Sequence, residues 1–156
     1  MFECNPASTL VEVGNIMCKG SLGDEVVDLT LYKQMLGSLR YMCNSILDIA
    51  YEVGLVSIYM EDPRSSQLLA AKRLLRYLKG SLDYGVLLLD SDENKLRIIY
   101  GYTDANWCGD KDDRKSTTGY LFKYGNAPIS WSSKKQEVVT LSSREAEYIV
   151  VYLGGC

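Results

Sequence analysis

Apolar positions recur at helical spacing in the first half of the chain and at strand spacing in the second. Between Leu31 and Glu61 they fall at Leu36, Leu39, Cys43, Ile46 and Ile49–Ala50, and Asp62-Pro63 closes the stretch. Gly37 and Gly54 weaken its interior, so the pattern predicts one broken helix or two shorter ones. The periodicity is clearest over residues 65–79, where Leu68, Ala71, Leu75 and Leu78 share one stripe. Lys72, Arg76 and Lys79 share another, with Arg73 beside it, and Gly80 is expected to cap the helix end. Strands are expected next, at Tyr84–Leu89 and Leu96–Thr103 around a polar turn at Asp90–Lys95. Thr117–Lys123 and Ile129–Ser133 flank Tyr124-Gly125-Asn126, a hairpin signal. A final helix is predicted over Ser143–Leu153, ended by Gly154-Gly155. Residues 1–30 lack periodicity and carry Pro6, Gly14, Gly20 and Gly23, which reads as an extended connector draped over another unit. Helices, then strands, then one helix predict an α+β fold with two units meeting near residue 85.

Composition narrows the chemistry. The 156 residues are 47% apolar and 24% charged, a globular balance, and no apolar run is long enough to span a bilayer. The first residues have neither a basic start nor a sustained apolar run, so an intracellular protein of cytoplasm or nucleus is expected, neither secreted nor bound to membrane. Five scattered cysteines (Cys4, Cys18, Cys43, Cys108, Cys156) without a Cys-x-x-Cys pair fit neither a disulfide framework nor a zinc knuckle. The sequence has no histidine, which removes Ser-His-Asp and Cys-His catalysis and His-ligated zinc. Any catalysis must use carboxylates, Lys, Tyr, Cys or a metal held by oxygen ligands. The net charge of −3 gives no global attraction to nucleic acid. Locally, residues 64–82 hold Arg64, Lys72, Arg73, Arg76 and Lys79 with no acid. That is either a solvated helix face or one that tracks a phosphate backbone.

Two segments carry candidate chemistry. In residues 101–107, Asp104 ends an apolar strand beside Trp107; such an acid is either a turn residue or one that needs a metal or basic partner. In residues 142–148, Glu145 and Glu147 are two apart and so point about 200° apart around a helix, which gives them different roles. Ser142 and Glu145 fit a capping box, leaving Glu147 one turn inside among apolar residues. Lys134 and Lys135, after the third strand, are either a solvated hairpin end or further phosphate contacts. Trp107 and Trp131 are read as core or interface residues in preference to base-stacking ones.

These segments, in order, carry a resemblance. Residues 71–80 with Leu82-Asp83-Tyr84-Gly85 resemble a segment of copia-type LTR-retrotransposon Pol polyproteins, as do residues 32–41 upstream. Residues 102–107, 115–120, 129–136 and 142–148 resemble four later segments of the same family. The match runs from about residue 5 to 153. It implies a connector at 1–30, helices from the C-terminal end of a reverse transcriptase at 31–90, and the first half (βββα) of a ribonuclease H-like domain at 91–156. The implied activity is cleavage of the RNA strand of an RNA–DNA hybrid, with Mg2+ held by clustered carboxylates. Asp104 then corresponds to the first-strand acid and Glu147 to the first-helix acid, both catalytic and metal-holding. Lys72, Arg73, Arg76, Lys79, Lys134 and Lys135 are the candidate nucleic-acid contacts.

The departures from the family pattern bear on activity. Residues 45–49 lack an Arg and a Pro of that pattern, and Asn106 stands where it has a second Asp. The family's third and fourth acidic ligands come from the strand and helices after the first helix, which lie beyond residue 156 on this mapping. The expectation is therefore weak Mg2+ binding and little or no nuclease activity from the chain alone, unless other parts of the polyprotein complete the site. The alternative is a non-catalytic remnant that binds nucleic acid through the helix over 65–79.

Overall fold

The computed structural model describes residues 4–11, 24–86 and 98–155. The chain divides into two compact units, Met1–Gly85 and Val86–Cys156, and the architecture is mixed α+β, with four α-helices and a three-stranded sheet among the described residues.

In the first unit α1 spans Leu29–Met42, a 3-10 turn spans Leu47–Ile49, α2 spans Ala50–Ser57 and α3 spans Ser65–Gly80. The expected stretch from Leu31 to Glu61 is thus two shorter helices. α1 starts two residues early because the Asp28 carboxylate accepts hydrogen bonds from the Thr30 and Leu31 amides (2.8 and 3.3 Å). Tyr32, Leu36 and Leu39 of α1, Ile49, Val53 and Val56, and Ala70, Ala71, Leu74 and Leu78 of α3 form one buried cluster. Burying a Leu side chain contributes roughly 1.5–3 kcal/mol, so this cluster outweighs the glycines within the helices. The Tyr32 hydroxyl donates to the Val56 carbonyl at 2.7 Å, which ties α1 to the end of α2. Burial holds the Tyr32 hydroxyl well above the usual tyrosine range, so it stays a donor at every working pH.

The stripe expected along α3 is displaced by a residue. Ala70, Ala71, Leu74 and Leu78 are buried, while Leu68 and Leu75 pack at the margin. Gly80 does not cap the helix in the left-handed conformation the sequence suggested; it is the last helical residue, and Ser81 donates its amide to the Leu78 carbonyl. Its missing side chain serves a close approach instead. A Cβ there would lie 3.1 Å from both the Ala7 carbonyl oxygen and the Pro6 Cβ.

In the second unit β1 (Ile99–Asn106), β2 (Thr117–Tyr124) and β3 (Ala127–Lys135) form an antiparallel sheet in the order β1-β2-β3, followed by α4 (Ser143–Gly155). The expected strand over Leu96–Thr103 starts and ends about three residues later, its first two residues lying outside the described ones. Of the strand expected at Tyr84–Leu89, Tyr84 to Val86 are not in a strand and the rest lies outside the described residues, as does the turn at Asp90–Lys95. The β2–β3 hairpin closes over Gly125-Asn126, with φ 58° at Gly125, the first central residue, as a type II′ turn has. The register shifts between Phe122 and Lys123, where Ile129 is the extra residue beside Pro128 on the edge strand, a place that tolerates a residue without an amide hydrogen.

α4 lies on one face of β1 and β2, with Ala146 and Val150 fully buried. Its Gly154 sits against Thr103, Tyr120 and Phe122, so alternation turns Gly101, Thr103 and Ala105 toward the helix and Tyr102 and Asp104 away from it. A Cβ at Gly101 would meet the Phe122 ring at 2.8 Å. Gly101→Ala is therefore expected to lower the stability of this unit by about 1–3 kcal/mol, read as an earlier thermal transition by circular dichroism.

Candidate metal and nucleic-acid site

Asp104 and Glu147 belong to β1 and α4, and the fold brings Glu147 to the strand position next to Asp104. The Glu147 Oε1 accepts a hydrogen bond from the Ala105 amide at 3.2 Å. Ala105 is the neighbour of Asp104, and its amide points from the side of β1 not paired with β2. Glu147 thus reaches around the strand's outer edge from the helix side, while Asp104 projects from the opposite face. Both residues are exposed. The neighbouring acid has the structural role its spacing suggested. Ser142 Oγ accepts from the Glu145 amide (3.2 Å), and the Glu145 carboxylate takes the Leu141 amide (2.7 Å), one residue beyond a standard capping box. Fixing the start of α4 in this way fixes where Glu147 emerges. Two hard oxygen donors beside a strand edge suit Mg2+ in kind. In number they fall short by themselves, since no group of three His, Cys, Asp or Glu able to hold a metal occurs among the described residues.

Beneath this edge lies a buried polar frame that the sequence reading missed. Ser116, Thr118, Gln136 and Thr140 are all buried. The Ser116 hydroxyl pairs with that of Thr140 (3.1 Å) and accepts from the Cys108 amide (3.2 Å), and the Gln136 amide donates to the Ser116 carbonyl (2.8 Å). The Gln136 side-chain nitrogen donates to the Thr118 hydroxyl (3.0 Å) and the Ala146 carbonyl (3.2 Å), joining the sheet to α4. Trp107 donates its indole N–H to the Thr140 carbonyl at 3.3 Å, which makes it a frame residue with 45% of its surface exposed. A signal was available: Ser116-Thr117-Thr118 enter an apolar strand as three hydroxyls in a row, and buried hydroxyls require partners.

The loop between β1 and β2 is held to β3 by charge. Asp110, whose side chain is 4% exposed, forms an ion pair with Lys135, and Lys135 also reaches Asp113 at 2.8 Å. Asp110 Oδ1 accepts from the Asp112 amide (2.8 Å), which shapes the turn. Burial pushes the Asp113 carboxyl up, but hydrogen bonds from Lys135 and the Lys115 amide outweigh it and hold the group below its ordinary 3.8. Burial likewise pushes Lys135 down, and Asp110 and Asp113 more than reverse this, raising it above 10.5. The acid's contribution is present above pH 3.8 and lost as pH falls through its depressed value. The lysine's is present below pH 10.5 and lost as pH rises past its raised value. Thermal melts of this unit are accordingly expected to hold level between these limits as far as this cluster is concerned, with an acid limb below and an alkaline limb above. Lys135→Met should remove the alkaline limb.

The basic side chains of α3 face residues 4–11. Lys79 Nζ donates to the Cys4 carbonyl (2.8 Å), Arg76 Nε to the Asn5 carbonyl (2.7 Å), and Arg73 to the Thr9 carbonyl and hydroxyl (3.2 and 2.8 Å). Lys72 is exposed on the same helix. Lys134 has a side chain 76% exposed with Glu137 at 4.0 Å, whereas Lys135 is engaged in the loop. The structure therefore sets Glu147 on the amide of Ala105, the residue after Asp104, with Asp104 projecting from the opposite face of β1, and sets the basic residues of α3 in a separate unit.

No family model and no solved structure matches the chain. Curated proteins do. The Retrovirus-related Pol polyprotein from transposon RE1 of Arabidopsis thaliana is 45% identical over 126 residues, 81% of this chain and 8% of that polyprotein. The Pol polyprotein from transposon TNT 1-94 of Nicotiana tabacum is 46% identical over 119 residues, 76% of this chain and 9% of its own length. The chain belongs to the copia-type transposon Pol polyproteins. It spans less than a tenth of the length of these two relatives. A much shorter protein, Secreted RxLR effector protein 161 of Plasmopara viticola, is 41% identical over 121 residues, 77% of this chain and 83% of that protein.

In this Pol segment the two departures from the family pattern fall at turns. Asp48, in the altered 45–49 stretch, accepts a hydrogen bond from the Tyr77 hydroxyl at 3.1 Å, joining the short 3-10 turn to α3. Asn106 closes β1, and its carbonyl accepts from the Gly109 amide at 3.2 Å. Among the described residues no helix is long and apolar enough to cross a membrane.

Proposed function

We propose that residues 98–155 are the opening βββα part of a ribonuclease H-type domain in a transposon Pol polyprotein. In this reading Asp104 and Glu147 are two of the carboxylates that hold Mg2+ against the RNA strand of an RNA–DNA hybrid. The observation that supports it is the Glu147–Ala105 hydrogen bond, because it holds Glu147 at the strand position next to Asp104. Mg2+ bound there would position and activate the attacking water and stabilise the leaving oxygen. The protein's own part is to hold the donors. Glu145 and Ser142 fix the start of α4, the Gln136 frame fixes α4 against the sheet, and Glu147 exchanges the Ala105 amide for the cation. Two ions need more carboxylates than these two, and in this reading the remainder come from other parts of the polyprotein. The 156 residues alone are therefore expected to bind Mg2+ weakly and to leave a hybrid uncut. The test is a Mg2+ titration of the chain and of its Asp104→Asn and Glu147→Gln variants.

A second reading, binding of nucleic acid by α3, is favoured by a separate observation. Arg73, Arg76 and Lys79 already grip main-chain oxygens of residues 4–9 from one helix. Lys72 lies on the same helix.

A further inference from the structure

We propose that residues 4–11 are a displaceable strap over a phosphodiester-binding face on α3, closing that face to nucleic acid until the strap lifts. The inference rests on the second reading above and adds its regulation.

The strap runs antiparallel to the helix, Cys4 at Lys79, Asn5 at Arg76 and Thr9 at Arg73. The cationic donors take the strap's carbonyl oxygens, together with the Thr9 hydroxyl, and so engage groups that nearly any extended chain presents. Residues 73–79 cover about 9 Å of helix. At a rise of about 3.4 Å per nucleotide, that length accommodates two or three phosphates of one strand. A phosphate oxygen carries charge and a carbonyl oxygen does not, so each of these donors bonds a phosphodiester more strongly than it bonds the strap.

The strap is held lightly. Ala7 is its one residue in the buried class, with Leu10 partly packed on the core. The bonds from Arg73, Arg76 and Lys79 are exposed to solvent. A cavity of about 300 Å³ lies at one end, lined by Pro6, Ala7, Ser8, Tyr77, Gly80 and Tyr84. The main-chain anchor is the Ala7 amide, which donates to the Arg76 carbonyl at 3.1 Å. That contact depends on Gly80, where a Cβ would press on Pro6 and Ala7 at 3.1 Å. Gly80 is thus the position at which the strap can be lifted without touching a cation.

The test uses the full chain with a labelled RNA–DNA hybrid as probe, comparing the parent with Gly80→Val and, because the former alters the helix end, Ala7→Leu. Hydrogen exchange at the Ala7 amide reads the strap, and exchange over residues 65–76 reads the helix. Both variants are expected to lose protection at Ala7, keep it in α3, and bind about tenfold tighter, as when a closed state withholds nine-tenths of the competent form. The logarithm of affinity should fall against that of salt with a slope of about −3, and Arg73→Glu/Arg76→Glu should abolish binding. Loss of Ala7 protection with unchanged or weaker binding overturns the strap. So does retained protection in both variants, since Gly80 and Ala7 would then not hold it. If the hybrid binds the parent well but no variant tighter, the strap fails and the second reading stands. No binding even with Ala7 released removes the second reading itself.

Discussion

Replacing Lys135 by methionine is expected to cost the Val86–Cys156 unit about 3 kcal/mol, the low end for breaking a buried ion pair. The Asp110 side chain is 4% exposed and would be left buried without its cation. The ammonium side of the pair keeps 22% exposure, so water offsets part of the loss and places the effect at the lower end. Asp113 also loses this lysine, but it keeps the Lys115 amide and, at 41% exposure, is already solvated, so it adds little. For a unit of this size about 3 kcal/mol corresponds to a fall in Tm of roughly 12–24 °C. The control is Lys135→Met with Asp110→Asn. The amide oxygen of Asn can still accept from the Asp112 amide, so the turn is kept while the buried carboxyl group is removed, and most of the loss should return. The two units are read separately, since a chain of two units need not melt in one step. A double variant no more stable than Lys135→Met would mean that the loop is held by something other than this pair.

This pair also marks where the sequence stopped being legible. Asp110 lies in an acidic run and Lys135 at a hairpin end, 25 residues apart, and each reads alone as a solvated charge. Only the antiparallel register that returns β3 beside the loop after β1 brings them together. The frame around Gln136 was hidden for the same reason: its partners Thr118 and Ala146 come from different elements, and hydroxyl and amide side chains carry no periodicity. Local signals fared better. The helix at 65–79, the Gly-Asn hairpin and the capping role of Glu145 follow from contacts within one or two turns of chain, which is what spacing and turn chemistry encode. Gly80 shows the limit of such rules, because a glycine after a basic last turn reads as a cap, whereas here it admits the passage of Pro6 and Ala7. The strap was legible only as part of an aperiodic connector, without its place on α3, because it is held mainly through its own main chain.

At the candidate metal site, Asp104→Asn and Glu147→Gln should each weaken Mg2+ binding by at least about tenfold, the effect of removing one of two charges from a weak site. The substitutions separate charge from structure. A glutamine at 147 retains a side-chain oxygen that can accept from the Ala105 amide, so α4 should keep its place and the melting transition should move little. If the proposed reaction holds, either substitution in a longer Pol chain that supplies the further carboxylates should lower hybrid cleavage by at least about a hundredfold, because charge stabilisation by the metal would be the main source of the rate. The Gln variant is the sharper probe there: it alters a proposed metal donor while leaving an acceptor for the Ala105 amide.

The most direct measurement is a Mg2+ titration of the chain followed by amide chemical shifts, with the Ala105 amide as reporter. Its hydrogen bond to Glu147 must change if that carboxylate turns to a cation. The account predicts a saturable shift at Ala105 with a dissociation constant roughly in the millimolar range, weakened in Asp104→Asn and in Glu147→Gln. A titration that leaves Ala105 unmoved, or moves it with the same dissociation constant in both variants as in the parent chain, would contradict the assignment of Asp104 and Glu147 as a metal-holding pair.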